Sequence, residues 1–177
     1  MQQPFLNHND DRNGVIMKKY MLALLVVCGL VGLDQWTKAL AVSNLMGQDA
    51  YVIWPGVFEL LYSENRGAAF GIMQNQRLFF LILTAIILAF VIYVFVKIPS
   101  DKKFRPLQYL CVLITAGAIG NLIDRVFLGY VVDFLYFSLI DFPIFNVADC
   151  YITCSAIFLI ILIAFYYKDE DLKEIWK

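Results

Sequence analysis

Histidine is almost missing from this chain, whose single copy is His8. A Ser-His-Asp triad and a His-ligated zinc ion each need a histidine at the reacting centre. His8 lies in residues 1–16, a polar segment that the sequence predicts to be a disordered or late-ordering tail. The chain also lacks a Gly-rich phosphate-binding loop and a basic, aromatic surface for nucleic acid, so we expect no nucleic-acid partner.

Charged residues are scarce as well, at 16% of the chain, against roughly 25% in soluble domains. Hydrophobic residues reach 61%, and the mean hydropathy is +0.70. They stand in long blocks and do not alternate with polar residues, which favours membrane-spanning helices over a β-barrel. The sequence predicts an all-α membrane protein with four transmembrane helices, at about residues 20–42, 77–97, 106–126 and 146–167.

Cysteine offers neither a disulfide framework nor a metal site. Cys28, Cys111, Cys150 and Cys154 fall inside or at the edge of apolar spans, where a free cysteine behaves as a small hydrophobic residue. Cys150 and Cys154 share a helical face, but no histidine accompanies them. We therefore expect no metal and no cofactor.

The basic residues indicate how the chain crosses the membrane. Lysine and arginine cluster before the first span, between the second and third spans, and after the fourth, which predicts that both termini are cytoplasmic. Segments 43–76 and 126–145 then lie outside. Residues 17–168 form a single domain, flanked by the tail at 1–16 and by a charged cytoplasmic tail at 169–177.

The first span admits a second interpretation. Lys18, Lys19 and the apolar run after them resemble a signal peptide, with residues 39–41 as a conceivable cleavage site. Cleavage would discard two charged residues, Asp34 and Lys38. A retained membrane span is the preferred interpretation.

Polar residues inside the spans converge on one depth. Asp34, Asn121 and Asp149 each lie about 22–28 Å from the cytoplasmic basic residues of their own helix, counting about 1.5 Å per residue. This places them in the outer third of a bilayer about 30 Å thick. The external segments bring Asn65 and Asp133 to the same layer, so one site at the outer membrane surface can collect all five residues.

The other charged residues of the spans can be interpreted either as structural ion pairs or as catalytic groups, and their spacing along the helices bears on this choice. Asp34 and Lys38 are four residues apart and share a face, where they can neutralise each other. Asn121, Asp124 and Arg125 also fall on one face of the third span. Ion pairs between Asp34 and Lys38, and between Asp124 and Arg125, would serve helix packing, and this structural interpretation is favoured over a catalytic one for both pairs.

For Asp133 and Asp149 a catalytic interpretation is favoured over a structural one. Both have apolar neighbours and neither has a cationic neighbour in sequence, so burial should raise the pKa of at least one carboxyl. Asn146 stands three residues before Asp149 and can cap the helix that follows. Two close carboxylates would share one proton, as in an aspartic protease. Local chemistry leaves Asp124 as the nearest rival for the second catalytic carboxylate.

Five short motifs carry a resemblance to a known family. In chain order they are DQWTK, NRGAAFG, GAIGNLIDR, VVDF and FNVAD, at residues 34–38, 65–71, 117–125, 131–134 and 145–149. With these motifs the chain resembles the lipoprotein signal peptidases, or signal peptidase II, a family of bacterial intramembrane aspartic proteases. Each motif is weak alone, but the five together, in this order between residues 34 and 149, are specific.

The resemblance implies a fold, an activity and a site. It implies four transmembrane helices with a small extracytoplasmic β-rich element between spans one and two, and cleavage of lipid-modified prolipoproteins before the diacylglyceryl-cysteine. The enzyme would be a monomer among the lipids of the bacterial plasma (inner) membrane, with its active site near the extracytoplasmic face. Asp133 and Asp149 would be the catalytic dyad, and the supporting residues would be Asp34, Lys38, Asn65, Gly67, Asn121, Asp124, Arg125 and Asn146.

Two residues depart from the family pattern or stand close to the dyad. Arg66 occupies a position that is often smaller or uncharged in the family, and could reach lipid phosphates or remain solvated. Asp141 is a third carboxylate near the dyad in sequence, and we expect it to be an exposed loop charge.

Two other classes of protein compete with the peptidase. A small carrier would also contain intramembrane Asp, Asn and Lys, but it predicts polar residues along the full depth of the spans. Residues 78–96 contain only Thr84 and Tyr93 as polar breaks. A scaffold subunit without catalysis gives no account of the clustered carboxylates.

Overall fold

The computed structural model describes residues 8–67 and 76–176. Long helices alternate with short strands. In chain order the elements are α1 (His8–Leu45), β1 (Tyr51–Trp54), β2 (Phe58–Asn65), α2 (Arg77–Lys97), a 3-10 turn (Lys102–Phe104), α3 (Arg105–Phe127), β3 (Val131–Tyr136), a second 3-10 turn (Ser138–Ile140), α4 (Val147–Phe165) and α5 (Asp169–Ile175).

Four helices are long and apolar enough to cross a membrane, which confirms the predicted four-helix membrane fold. Their candidate spans are Ile16–Leu45, Arg77–Lys97, Lys102–Phe127 and Val147–Phe165. In α2 only Val91 is buried, and many of its apolar side chains, such as Leu78, Ile86 and Phe90, are exposed. Such a surface suits hydrocarbon, because lipid tails solvate leucine and isoleucine as well as a protein core does.

Helix α3 is the centre of the bundle and contacts α1, α2 and α4. Small residues at 116–120 of α3 make the approach possible. A Cβ on Gly117 would lie 2.5 Å from the carbonyl oxygen of Ala148 in α4. No side chain fits at that separation, so glycine at this position sets the distance between α3 and α4.

A three-stranded antiparallel sheet, in the order β1-β2-β3, covers one end of the bundle, which we call the sheet end. Strands β1 and β2 form the β-rich element that was predicted between spans one and two. The third strand comes from the segment between spans three and four, where no strand was predicted. Val132 and Phe134 of β3 pack on Ala41 and Leu45 at the end of α1, which fixes the sheet to the bundle.

The pairing of β2 with β3 contains a bulge. Leu60 faces Leu135 and Ser63 faces Asp133, so two residues of β2 stand opposite the single residue Phe134. A bulge of this kind bends and twists the strand that carries it and is common beside active sites.

The opposite end of the bundle is also closed. Helix α5 folds back, and Ile175 is buried in a cluster with Phe104 and Tyr167, whose rings stack at 5.7 Å between centroids. Helix α1 begins at His8, so residues 8–16 are helical and the predicted tail is corrected for that part. Residues 1–7 lie outside the described residues.

Candidate functional site

Asp133 and Asp149 line one cavity at the sheet end, with a volume of about 1000 Å³. Asp133 lies on β3, and Asp149 lies in the first turn of α4. The walls of the cavity come from β2, from the connection between β3 and α4, and from α4 itself. The two carboxylates that sequence analysis singled out therefore face a shared space.

The first turn of α4 is fixed by a reciprocal cap. The Asn146 Oδ1 accepts from the backbone N–H of Asp149 at 3.0 Å, and the Asp149 Oδ2 accepts from the backbone N–H of Asn146 at 3.2 Å. Helix N-termini leave N–H groups without partners, and a capping box satisfies two of them. The orientation of Asp149 thus follows from the start of the helix.

Asp133 is held by two amides and is only 2% exposed. The Nδ2 of Asn146 donates to its Oδ1 at 2.6 Å, and the Nδ2 of Asn65 donates to its Oδ2 at 3.0 Å. Burial, together with the negative charge of Asp149, raises the pKa of Asp133 to about 7. The amide donors favour the charged form, but burial outweighs them.

Asn121 connects Asp149 to a buried lysine. Its Nδ2 donates to the Asp149 Oδ1 at 2.8 Å, and its Oδ1 accepts from the Lys38 Nζ at 2.9 Å and from the Asn146 Nδ2 at 3.1 Å. An ammonium group can only donate, so Lys38 holds the amide oxygen on its own side. The amide nitrogen of Asn121 then points to Asp149.

Lys38 also pairs with two buried carboxylates. Its Nζ lies 2.9 Å from the Asp34 Oδ2 and 3.0 Å from the Asp124 Oδ2. With Asn121 these contacts use all three donors of the ammonium group. The predicted pair of Asp34 with Lys38 is present, but Asp124 pairs with Lys38 and not with Arg125, because adjacent helical residues point in different directions.

Asp34 ties α1 to α4. Its Oδ1 accepts from the backbone N–H of Ala148 at 2.9 Å, a group in the first turn of α4 that has no partner inside the helix. Gly120 of α3 leaves room for this carboxylate, since a Cβ there would lie 2.5 Å from the Asp34 Oδ2. A residue of the first span therefore helps to place the residues that surround the dyad.

Arg125 closes the site on another side. It donates to the carbonyl oxygens of Asn121 at 3.4 Å and of Gly67 at 3.5 Å, and its guanidinium lies 5.0 Å from the centre of the Phe80 ring. The N–H of Gly67 donates to the Asn65 Oδ1 at 3.0 Å, which turns the Asn65 amide nitrogen toward the dyad. All the predicted site residues thus belong to one connected region.

The charge of this region is unbalanced. Four buried or half-buried carboxylates face only two cations, so full ionisation would leave two excess negative charges. One proton on the pair Asp133 and Asp149 would remove one of these charges, and apolar surroundings favour such a reduction. The charged residues are Asp34, Lys38, Asp124, Arg125, Asp133 and Asp149.

Gln35 was missed as a site residue. Its Nε2 donates to the Asp124 Oδ1 at 2.9 Å, to the Gly120 carbonyl at 3.1 Å and to the Asp34 Oδ2 at 3.2 Å. The signal that could have found it is an amide within a membrane span, which must find partners or remain unsatisfied in hydrocarbon.

The structure also places the two residues noted beside the family motifs. Arg66 pairs with Glu64 at 2.7 Å and lies 5.0 Å from the centre of the Tyr130 ring, at the surface. Asp141 is exposed as expected, but it lines the cavity and accepts from the Tyr136 hydroxyl at 2.8 Å. Among residues 8–67 and 76–176, no three His, Cys, Asp or Glu side chains are arranged to hold a metal ion.

Comparison with known proteins gives consistent matches. A family model described as Signal peptidase (SPase) II matches residues 26–165. The chain is 43% identical over 155 residues to a lipoprotein signal peptidase of Streptococcus thermophilus, covering 88% of this chain and 97% of that protein. It is 46% identical over 145 residues to one from Caldanaerobacter subterraneus subsp. tengcongensis, covering 81% of this chain and 97% of that protein.

Solved structures match as well. Two structures of a bacterial membrane enzyme, both determined by the in meso method, superpose on this fold with a TM-score of 0.71 and 34% sequence identity. The first covers 84% of this chain and 92% of its own, and the second covers 82% and 94%.

Proposed function

Because this chain belongs to the signal peptidase II family, we propose that it is a membrane-embedded aspartic endopeptidase acting on diacylglyceryl-modified prolipoproteins. Peptidases of this family cleave signal peptides from prolipoproteins. The bond cut here is the one before the lipidated cysteine. The observation that carries the proposal is the pair Asp133 and Asp149, which face one cavity and have few cationic neighbours.

The dyad activates a water molecule. With one proton shared between the two carboxyls, the ionised carboxylate removes a proton from the attacking water, while the protonated one donates a hydrogen bond to the scissile carbonyl. Side-chain amides of Asn65, Asn121 and Asn146 donate to three of the four carboxyl oxygens, and the backbone N–H of Asn146 donates to the fourth. Arg125 lies close enough to stabilise the negative charge that develops on the tetrahedral intermediate.

The depth of the site suits a lipid-anchored substrate. Acyl chains inserted in the membrane hold the lipidated cysteine near the interface, so the scissile bond reaches the dyad at high effective concentration. The basic residues favour a site on the extracytoplasmic side of the plasma membrane, with both termini in the cytoplasm. The enzyme acts as a monomer surrounded by membrane lipids.

Cleavage of a purified precursor tests the proposal. The protein in detergent or lipid should release the signal peptide from a diacylglyceryl-modified precursor and leave the unmodified precursor intact. Asp133→Asn and Asp149→Asn should each abolish turnover while the protein still inserts and folds. Full turnover in either variant would exclude the dyad.

Two control variants make the result specific. Asp169→Asn, on α5 at the far end of the bundle, should cleave at the wild-type rate. Asp124→Asn removes a buried carboxylate of the same layer that contacts Lys38 and the backbone N–H of Val132. It should retain measurable turnover, because Asp124 does not line the cavity.

A further inference from the structure

The connection between β3 and α4, residues 137–145, forms an apolar wall of the site cavity. Its lining residues are Asp141 and the apolar residues Phe137, Ile140, Phe142, Pro143, Ile144 and Phe145. Several of these side chains remain partly exposed, although they belong to the same space as the dyad. We call this segment the 137–145 wall.

Three contacts fix the shape of the wall. The Phe137 ring lies between Phe58 of β2, at 5.0 Å, and Phe145, at 5.7 Å between centroids. The Tyr136 hydroxyl donates to the Asp141 Oδ1 at 2.8 Å. Asp141 has a φ of 49°, in the left-handed region that few residues other than glycine and asparagine adopt. A residue held there indicates that its surroundings determine the turn.

The facing wall belongs to α4 and leads into the membrane. Cys150, Thr153 and Cys154 line the cavity below Asp149. Cys154 lies about 7 Å deeper than Asp149 along the helix axis. The exposed side chains of Ile157 and Phe158 continue the same helix toward the bilayer centre. The cavity is therefore continuous with the surface that faces the acyl chains.

We propose that the 137–145 wall binds the first carbons of the substrate's acyl chains and so selects lipidated precursors, with Tyr136 and Asp141 as positioning residues. This inference rests on the function proposed above. A volume of about 1000 Å³ lies at the upper end of the range for small-molecule sites. Small side chains next to the scissile bond would fill little of it, whereas two acyl chains with their glycerol linkage would fill an apolar space of this size.

Two adjacent residues allow a matched test of the wall. Ile140 and Leu139 are 68% and 67% exposed, but only Ile140 lines the cavity. Ile140→Ser should raise KM for a dipalmitoyl-type precursor about tenfold, the loss expected from roughly two buried methylene groups, with kcat within about twofold. Leu139→Ser should match the wild type. Because the contact is to the first carbons, a precursor with medium-length acyl chains should show the same difference between the two variants, and a precursor whose acyl groups are only acetyl groups should not.

Several outcomes would overturn the inference. Equal effects of Ile140→Ser and Leu139→Ser would mean that the loop only adheres to the membrane. An effect of Ile140→Ser that persists with the acetyl-bearing precursor would assign the wall to the peptide. Failure of the wild type to cleave any lipidated precursor would instead remove the proposed function itself, so the two failures are distinguishable.

The positioning role has its own test. Tyr136→Phe removes one hydroxyl and should raise KM about threefold with kcat unchanged, because a neutral hydrogen bond to a carboxylate contributes little more than that in an exposed position. Tyr62→Phe removes a comparable hydroxyl that contacts Glu64 on β2 and should have no effect. Asp141→Asn, which keeps an acceptor and tolerates the left-handed turn, should behave as the wild type, and Asp141→Leu should not. A wild-type KM in both Tyr136→Phe and Asp141→Leu would overturn this role.

Discussion

Replacing Lys38 by methionine should destabilise the protein through the charges that it leaves behind. Asp34 and Asp124 are both almost fully buried, and the ammonium group of Lys38 is the cation that contacts them. Removing one partner of a buried ion pair costs about 3–5 kcal/mol, since the remaining charge is left uncompensated. For a chain of this length that corresponds to a fall in Tm on the order of 10 °C.

The informative comparison is the double variant Lys38→Met/Asp124→Asn. It removes one of the two stranded carboxylates, so it should be more stable than Lys38→Met alone by about 0.5–3 kcal/mol, the usual coupling between contacting residues. Asp124→Asn alone leaves a neutral pair of Asp34 with Lys38 and should cost less than Lys38→Met. The expected order of Tm is wild type, Asp124→Asn, the double variant, and Lys38→Met as the lowest.

Thermal unfolding of the four proteins in the same detergent, followed by tryptophan fluorescence, gives this order directly. A double variant that unfolds at a lower temperature than Lys38→Met would refute the reasoning, because the two losses would then simply add. Turnover provides a second readout. In both variants that lack Lys38, Asn121 loses one of the two donors that hold its amide oxygen, so the second substitution should restore stability without restoring full activity.

Substitutions at Asp133, Gly120 and Asn146 test other parts of the site. Asp133→Asn should gain stability relative to the wild type as pH rises from about 4 to about 7. The pKa of the Asp133 carboxyl is raised to about 7 by folding, so ionising this carboxyl opposes folding across that pH range in the wild type. A Tm difference between the two proteins that stays constant from pH 4 to pH 8 would contradict this prediction. Gly120→Ala should lower both Tm and turnover by displacing Asp34, whereas Gly29→Ala, with open space around it, should raise Tm slightly through helix propensity. Asn146→Ser should keep the helix cap and lose turnover, and Asn146→Ala should lose turnover and a further ~1 kcal/mol of stability; equal Tm values for the two would argue against the cap.

The four membrane helices were predictable because the apolar runs are long enough to identify them without knowledge of their partners. The second predicted span, 77–97, covers the same residues as α2. For α1 the sequence indicated residues 20–42, but the helix runs from His8 to Leu45. Hydropathy marks the part of a helix that hydrocarbon surrounds, and a helix can continue beyond it into water.

Strand β3 was not predictable from its own residues. A strand with one solvent-exposed face alternates apolar and polar residues, but four successive residues of β3, from Val131 to Phe134, are all buried. Its partner, β2, lies more than 60 residues earlier in the chain, with Asn65 contacting Asp133 across that distance. Only the tertiary structure brings the two together.

The contacts of the candidate site are likewise of two kinds, those that the sequence predicts and those that only the tertiary structure determines. Pairs within one helix, such as Asp34 with Lys38, follow from a four-residue spacing. The contact of Lys38 with Asp124 joins two helices whose relative rotation the sequence does not specify. The motifs therefore predicted residues that the fold brings into one region, while the packing of α1 on α3 determined their partners.

The cap at the start of α4 links the assembly of the enzyme to its synthesis. Asn146 and Asp149 stand at the start of the last of the four spans, and they complete contacts to residues that precede them by 13 and 28 residues, Asp133 and Asn121. A chain that contains only the first three spans lacks one of the two carboxylates that line the cavity and the amide that contacts the other. The cavity with both carboxylates is therefore complete only after the last span has been made.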